Sequence, residues 1–247
     1  FYKMSKLYPK FEAVIAAKDM ADTIGETLDS LLKSTVSPHK IWVVDDGSKD
    51  DTPKVASTYD RVTVLKNDQN RDTSFSRNRA IKKCNSEYIF VIDADDLVES
   101  NKFEIHLKYL QKHKEADAVF GDKISFLENF KPSNLGDKLT YYDVNDLLSF
   151  QLKKNTIIPG MMFFRSRYFK NYGLFDENIH ISNDRELYIR GLVNGASIHY
   201  NPGASTYYRR HSKSMLETRY REGIYNNYLT LIKHYNALYK YKNGRYR

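Results

Sequence analysis

Tyr88-Ile89-Phe90-Val91-Ile92-Asp93-Ala94-Asp95-Asp96 is an apolar run of five residues that ends in three carboxylates within four positions. An apolar run without polar alternation reads as a strand covered on both faces. Ile41-Trp42-Val43-Val44-Asp45-Asp46-Gly47-Ser48 repeats the design: a short apolar run, then carboxylates and turn residues. Working outward, residues 11–16, 62–65 and 118–120 are further strand candidates. Helical patterns lie between them. Thr23-x-x-Glu26 has the form of a capping box ahead of Ile24, Leu28, Leu31 and Leu32. Thr52 starts a helix with Pro53 at its first position, and residues 76–84 are helical. Ser100 is placed to cap a helix carrying Phe103, Leu107 and Leu110.

Strand and helix in alternation predict a mostly parallel central sheet with helices on its faces. Both acidic clusters then sit at carboxyl ends of strands, the edge where open α/β sheets bind ligands. The second half is less regular. Residues 128–142 read as a loop, 159–164, 197–200 and 205–209 as strands, and 184–193 as a helix.

Carboxylates are hard oxygen ligands that suit Mg²⁺ or Mn²⁺. In Asp93-Ala94-Asp95, alternate positions after a strand can serve a sugar hydroxyl and a metal together. A carboxylate in Asp45-Asp46 can accept a hydrogen bond from a base N–H or a ribose hydroxyl. Each cluster alone is equally a plain turn, since Asp and Gly are turn residues. The pairing of two such clusters at one sheet edge favours a ligand site.

The segment from Ile41 through Asp45-Asp46-Gly47-Ser48 to Asp51-Thr52 resembles the signature of family 2 glycosyltransferases, whose fold is GT-A. Asn70-x-x-x-Ser74-x-x-Arg77-Asn78 is similar to that family's next segment, and Glu87 to Asp96 to its strand and D-x-D. Gly173-Leu174-Phe175-Asp176-Glu177 followed by Asn183-Asp184-Arg185-Glu186-Leu187 resembles its acceptor-side segment, and Tyr208-Arg209-Arg210-His211 its terminal Y-R-x-H. The matches run in order over residues 11–211. The resemblance implies a GT-A type, Rossmann-like α/β fold with a C-terminal helical extension. It implies nucleotide-sugar contacts at Ala16, Asp45, Asp46, Arg77, Asp93 and Ala94, with Asp46 at the base and Asp93 at the ribose or sugar. Asp95 and His211 are the implied ligands of Mn²⁺ or Mg²⁺, and Asp184 the implied general base of an inverting transfer. The donor implied is a UDP-sugar, and the acceptor a glycan, lipid-linked or other hydroxyl.

The chain departs from the pattern at three places. Ala16-Ala17-Lys18-Asp19 lacks the usual proline and aromatic, so no ring stands there for a base to stack on. Asp72 replaces a usual Gly, and Asn183 a usual Glu. The Q-x-x-R-W of processive enzymes is absent, which points to transfer of one sugar or a short chain. A sugar-phosphate nucleotidyltransferase is the first alternative, but it needs a Gly-rich basic loop after the first strand. A non-catalytic nucleic-acid-binding module is the second. Its one candidate is the basic, Tyr-containing tail 239–247, and no nucleic acid is expected.

Composition sets the bounds. The 247 residues, 41% hydrophobic, fit a domain with a real core. The expected division is 1–215 as the catalytic domain, with 10–122 holding the nucleotide sugar and 123–215 facing the acceptor, then 216–247 as a basic amphipathic helix. Net charge is +8 and alone does not choose among nucleic acid, membrane and phosphorylated substrates. Cys84 is the only cysteine, which excludes an internal disulfide and fits a reducing compartment. The start has no signal pattern, and Phe1 in place of Met fits a piece of a longer protein. The expected location is cytoplasmic. From Ile224, the positions Tyr228, Leu231, Ile232, Tyr235 and Leu238 form one stripe. Such a stripe packs on a domain. The alternative is peripheral membrane contact, helped by Lys233, Lys240, Lys242, Arg245 and Arg247.

Overall fold

The computed structural model describes residues 8–127, 131, 135–141, 146–154, 156–210 and 220–244. The chain starts β1(Phe11–Ala17) α1(Ile24–Leu32) β2(Lys40–Asp45) α2(Thr52–Ala56) β3(Val62–Lys66) α3(Asp72–Ile81) β4(Tyr88–Asp93). It continues through β5(Leu97–Val98), α4(Lys102–Lys112), β6(Ala118–Phe120), β7(Lys123–Leu127) and β8(Leu135–Leu139). After α5(Leu147–Lys153), a 3₁₀ turn at Pro159–Met161 leads into β9(Met162–Arg165). Then follow α6(Ser166–Tyr172), α7(Asn183–Val193), β10(Ile198–Tyr200), β11(Thr206–Arg210), α8(Tyr220–Lys233) and α9(Tyr235–Gly244).

The central sheet has the order β10-β6-β9-β4-β1-β2-β3. β1 pairs in parallel with both β2 and β4, and β2 with β3. β9 runs antiparallel between β4 and β6, so the sheet is mixed. Its central parallel strands β1, β2 and β4 are mostly apolar and buried on both faces, as helices on each side require, whereas β3 and β10 toward the edges are half-buried. Two apolar layers result. One packs α1 and α4 residues such as Leu28, Leu31, Phe103 and Leu107 on Ile15, Val43 and Phe90. The other packs Ala80, Tyr168, Leu187 and Tyr188 on Val14, Val44 and Val91. At roughly 1.5–3 kcal/mol per fully buried large apolar side chain, these layers dominate the stability of the fold. Glu12 is the polar exception within β1. Its carboxylate accepts from Trp42 Nε1 at 2.6 Å and from the Asn85 and Ser86 amides at 2.7 and 2.9 Å. These bonds hold it ionised below its usual range despite burial.

A second, four-stranded sheet has the order β5-β11-β7-β8. β8 forms inside the span expected to be a loop. The physical reason is partnership: Leu-Gly-Asp-Lys-Leu is largely exposed and carries no strand periodicity, but β7 supplies an antiparallel edge for it.

Three helix starts also differ from expectation. α4 has Asn101 at its cap position, not Ser100, and no side-chain cap bond. α3 begins at Asp72, not at residue 76. Thr23 does not cap α1 with its side chain. Its Oγ1 donates instead to Ala94 O at 3.1 Å. Glu26, the other half of the expected box, pairs with Arg209 at 2.5 Å. Both residues brace the Asp93–Asp96 turn rather than their own helix.

The C-terminal stripe divides into α8 and α9, with His234 between them. It also faces the opposite way to a stripe that packs on the domain. Gly223, Asn226, Thr230 and His234 are buried; of the stripe, Leu231 and Leu238 are half-buried, whereas Ile224, Tyr228, Ile232 and Tyr235 are exposed, with exposed Tyr225 and Tyr239 beside them. Polar bonds explain the docking. His234 Nε2 lies 2.8 Å from Glu186 Oε1, and Lys233 pairs with Asp176. Arg245 and Arg247 lie outside the described residues. No described helix is long and apolar enough to cross a membrane.

Candidate active site

The order β3-β2-β1-β4 reverses direction between β1 and β4, and a crevice opens at such a switch point. Register aligns the strand ends there: Ala16 sits opposite Asp93, and Ala17 opposite Asp45. A cleft of about 410 Å³ occupies the position. Ala16, Asp46, Arg77, Asp93, Ala94, Asp95 and Asp184 all line it, so residues up to 168 positions apart in sequence share one cavity.

The Asp93–Asp96 turn divides its labour. Asp93 Oδ1 accepts from Arg77 Nη2 at 2.5 Å, and Asp95 lines the cleft. Asp96 points inward, fully buried, and its Oδ1 accepts from the Arg209 amide at 3.0 Å. Burial, then the charges of Asp95 and Asp93, push the Asp96 carboxyl well above the usual range. Arg209 clamps the turn a second time, donating from Nε to Asp95 O at 2.8 Å. Its guanidinium lies 4.7 Å from the Phe126 ring centroid.

The first acidic cluster behaves differently. Asp46 lines the cleft, but its Oδ1 already accepts from Asn67 Nδ2 at 2.7 Å and from the Arg71 amide at 2.8 Å. It therefore holds the cleft wall formed by the loop before α3. Asp45 does not line the cleft. Its Oδ1 accepts from the Ser48 amide at 3.1 Å, closing the turn at Gly47, whose φ of 77° lies in the left-handed region. Through this oxygen Asp45 serves its own turn, as the plain-turn reading expects.

Asp184 sits in the first turn of α7, facing the cleft. Desolvation by the cleft walls pushes its carboxyl up to about 6. The Arg77 guanidinium opposes that shift, and the Asp93 charge adds to it. Arg77 connects the two carboxylates structurally. Its Nη1 donates to Asn183 Oδ1 at 2.8 Å while its Nη2 holds Asp93. Asn183, the departure from the family's Glu, accepts a bond from Arg77 that no carboxylate is needed to make. The chain enters α7 through Ser182 at φ 60°, a left-handed position that costs a non-glycine residue of order 1–3 kcal/mol. Asp72, where the family usually has Gly, is also left-handed at φ 67° and pairs with His180 at 3.0 Å.

Several functional partners were not legible from the sequence. Asn78 docks the acceptor-side segment by exchanging bonds with the Phe175 backbone, at 2.9 Å to O and 3.0 Å from N. Thr23 and Arg209 brace the Asp93–Asp96 turn from 71 and 114 positions away, and Glu26 holds Arg209 from 183 positions away. Arg209 and Asn78 lay within quoted motifs, which was the available signal. Glu26 and Thr23 carried only a helix-cap signal. His211, the second expected metal ligand, lies outside the described residues.

The glycosyl transferase family 2 profile matches residues 12–173. The chain belongs to that family. It is 29% identical over 200 residues to the succinoglycan biosynthesis protein ExoU of Rhizobium meliloti, covering 74% of this chain and 57% of that protein. It is 22% identical over 232 residues to the uncharacterized glycosyltransferase MJ1057 of Methanocaldococcus jannaschii, covering 90% of this chain and 77% of that protein. The solved structure of S. aureus TarS 1–349 in complex with UDP superposes with a TM-score of 0.68 at 18% identity. That match covers 90% of this chain and 65% of the other. At such identity the likeness establishes the fold, which is GT-A. This family 2 chain thus spans a little under three-fifths of the length of ExoU.

Proposed function

We propose that this family 2 chain transfers a sugar from a nucleoside-diphosphate sugar to an acceptor hydroxyl, with inversion at the anomeric carbon. The observation that carries the reading is Asp184: a carboxylate raised to about 6, in one cleft with Asp93 and Asp95. A general base works best with a pKa near the operating pH. Asp184 takes the acceptor proton as the acceptor oxygen attacks the anomeric carbon. The bond from that carbon to the diphosphate oxygen breaks, and nucleoside diphosphate leaves from the opposite face. Arg77 keeps Asp93 and the start of α7 in register, so base and donor contacts are oriented together.

UDP-sugar is the favoured donor, because the related fold of TarS has been solved with UDP and with UDP-GlcNAc. Mg²⁺ and Mn²⁺ take oxygen ligands and are commonly held by one or two carboxylates plus substrate phosphate. The cleft offers carboxylates of that kind at Asp93 and Asp95, so the donor set fits. Asp95 would hold the ion, which would neutralise the charge of the departing diphosphate. A screen of nucleotide sugars for released nucleoside diphosphate tests the proposal, with and without excess chelator. Pyrophosphate as the product would instead indicate nucleotidyl transfer, and full turnover in chelator would remove the metal role.

The outward face of α8 and α9 favours a lipid-borne acceptor. Tyr225, Tyr228, Ile232, Tyr235 and Tyr239 recur at alternating spacings of three and four, all at least 60% exposed. Exposed apolar patches of this kind mark interaction sites, and Tyr suits a membrane interface. Exposed Arg221 and Lys240 flank the stripe and suit anionic headgroups. Full-length chain should bind anionic phospholipid vesicles at low salt and release as salt rises. Indifference to such vesicles would remove this reading and leave the sugar transfer untouched.

A further inference from the structure

A cluster of three metal-ligand side chains lies away from the cleft. His113 follows the last residue of α4, Glu115 sits in the turn before β6, and His199 is the middle residue of β10. One ligand atom from each comes within 4.8 Å of the others. None of the three lines the cleft. Because β9 is antiparallel to both β4 and β6, β6 runs parallel to β4. Glu115, before the amino end of β6, is therefore at the sheet edge opposite the donor site.

We infer that His113, Glu115 and His199 form a site for a divalent first-row transition metal, with zinc as the best fit, that fastens β10 to the end of α4.

The chemistry of the set supports this. Two imidazoles and one carboxylate, with a fourth position for water, are a recurrent zinc donor set. Imidazole selects zinc, nickel or copper over magnesium. Zinc at about 2.0–2.1 Å from each ligand needs ligand atoms about 3.3 Å apart. His113 Nδ1 and Glu115 Oε1 are already 3.2 Å apart. Both are partly or fully exposed, so small rotations close the remaining distance to His199.

The rings are held by outer partners. The Tyr109 ring stacks on His113 with centroids 4.1 Å apart. His199 has a hydroxyl at each ring nitrogen: Tyr109 OH at 3.1 Å from Nδ1 and Ser197 Oγ at 2.9 Å from Nε2. Whichever nitrogen takes the metal, the other keeps a hydroxyl that fixes the tautomer, as metal-bound imidazoles commonly have. The fold also gives the site a use. β10 is the outermost strand, only three residues long, and pairs with β6 alone. A metal across His199 and the end of α4 would tie down the most weakly held strand of the sheet.

The test uses the full chain, stripped of metal and kept in millimolar Mg²⁺ so that the cleft carboxylates are not the sites read. Zn²⁺ alone is titrated by calorimetry, and melting temperature is followed in parallel. The inference expects one saturable Zn²⁺ per chain and a melting temperature raised by about 5–10 °C at a hundredfold excess over Kd. His113→Ala and Glu115→Gln, at exposed positions where misfolding is not expected, should each weaken binding more than about tenfold. Asp95→Ala should leave it unchanged. Absence of saturable binding would overturn the site. So would equal binding by both exposed variants, or loss of binding in Asp95→Ala.

Discussion

Two acidic turns flank the end of β1 at the carboxyl edge of one sheet, and the chain uses them for different ends. At Asp45-Asp46 the carboxylates face backbone and loop: Asp45 closes its own turn, and Asp46 pins the wall before α3. At Asp93-Ala94-Asp95 the backbone is braced from outside, by Thr23 on Ala94 and Arg209 on Asp95, so that Asp93 and Asp95 line the cleft and Asp93 meets Arg77. The lesson is that residue type and strand-end position define where a ligand binds. Which carboxylate reaches it depends on where the turn's own amides find acceptors.

The comparison can be broken by substitutions on either side. The largest effect is expected opposite the second turn. Asp184→Asn should lower kcat by roughly 10²–10⁴-fold with donor affinity nearly unchanged, measured by steady-state kinetics and donor titration. An unchanged kcat would remove Asp184 as the base. Asp95→Ala follows, with kcat reduced by about 10²–10³-fold and the fold retained, since its backbone carbonyl still accepts from Arg209. A large loss of stability there would mean that Asp95 is structural in the manner of Asp46. Asp46→Ala should do both things moderately. It strands Asn67 and Arg71 donors at a cost of about 1–3 kcal/mol, or a few degrees of melting temperature, and raises KM for the donor. The smallest effect belongs to Asp45→Ala: about 1 kcal/mol of stability from the unpaired Ser48 amide, with kcat and KM retained. If Asp45→Ala damaged turnover as Asp95→Ala does, the division of labour between the turns would be wrong.

The sheet was largely legible. β1, β2 and β4 announce themselves as apolar runs because both of their faces are covered, and the carboxylates at the ends of β2 and β4 mark the binding edge. Asp184 was legible only through family resemblance, since nothing in its spacing separates a cleft carboxylate from a surface one. Thr23 and Glu26 misled because a capping box and a tertiary brace use the same residues, and only the fold brings Ala94 and Arg209 within reach. β8 was missed because Leu135–Leu139 becomes a strand through its pairing with β7. The C-terminal stripe was read correctly as a stripe and with the wrong orientation. Periodicity locates an apolar face, whereas the contacts of Lys233 with Asp176 and of His234 with Glu186 decide which face meets the domain.

The central claim is that Asp184, lifted by the cleft, is the group that must be ionised for transfer. Its most direct test is the pH dependence of kcat at saturating donor and acceptor, in the natural chain and in Asp184→Asn. A base with its pKa raised to about 6 is ionised above that pH and protonated below it. The natural chain should therefore hold a plateau above about pH 6.5 and lose close to tenfold per unit below about 6, while the residual rate of Asp184→Asn lacks that limb. An acid limb of the same position in both proteins, or none in the natural chain between pH 5 and 8, would contradict the account.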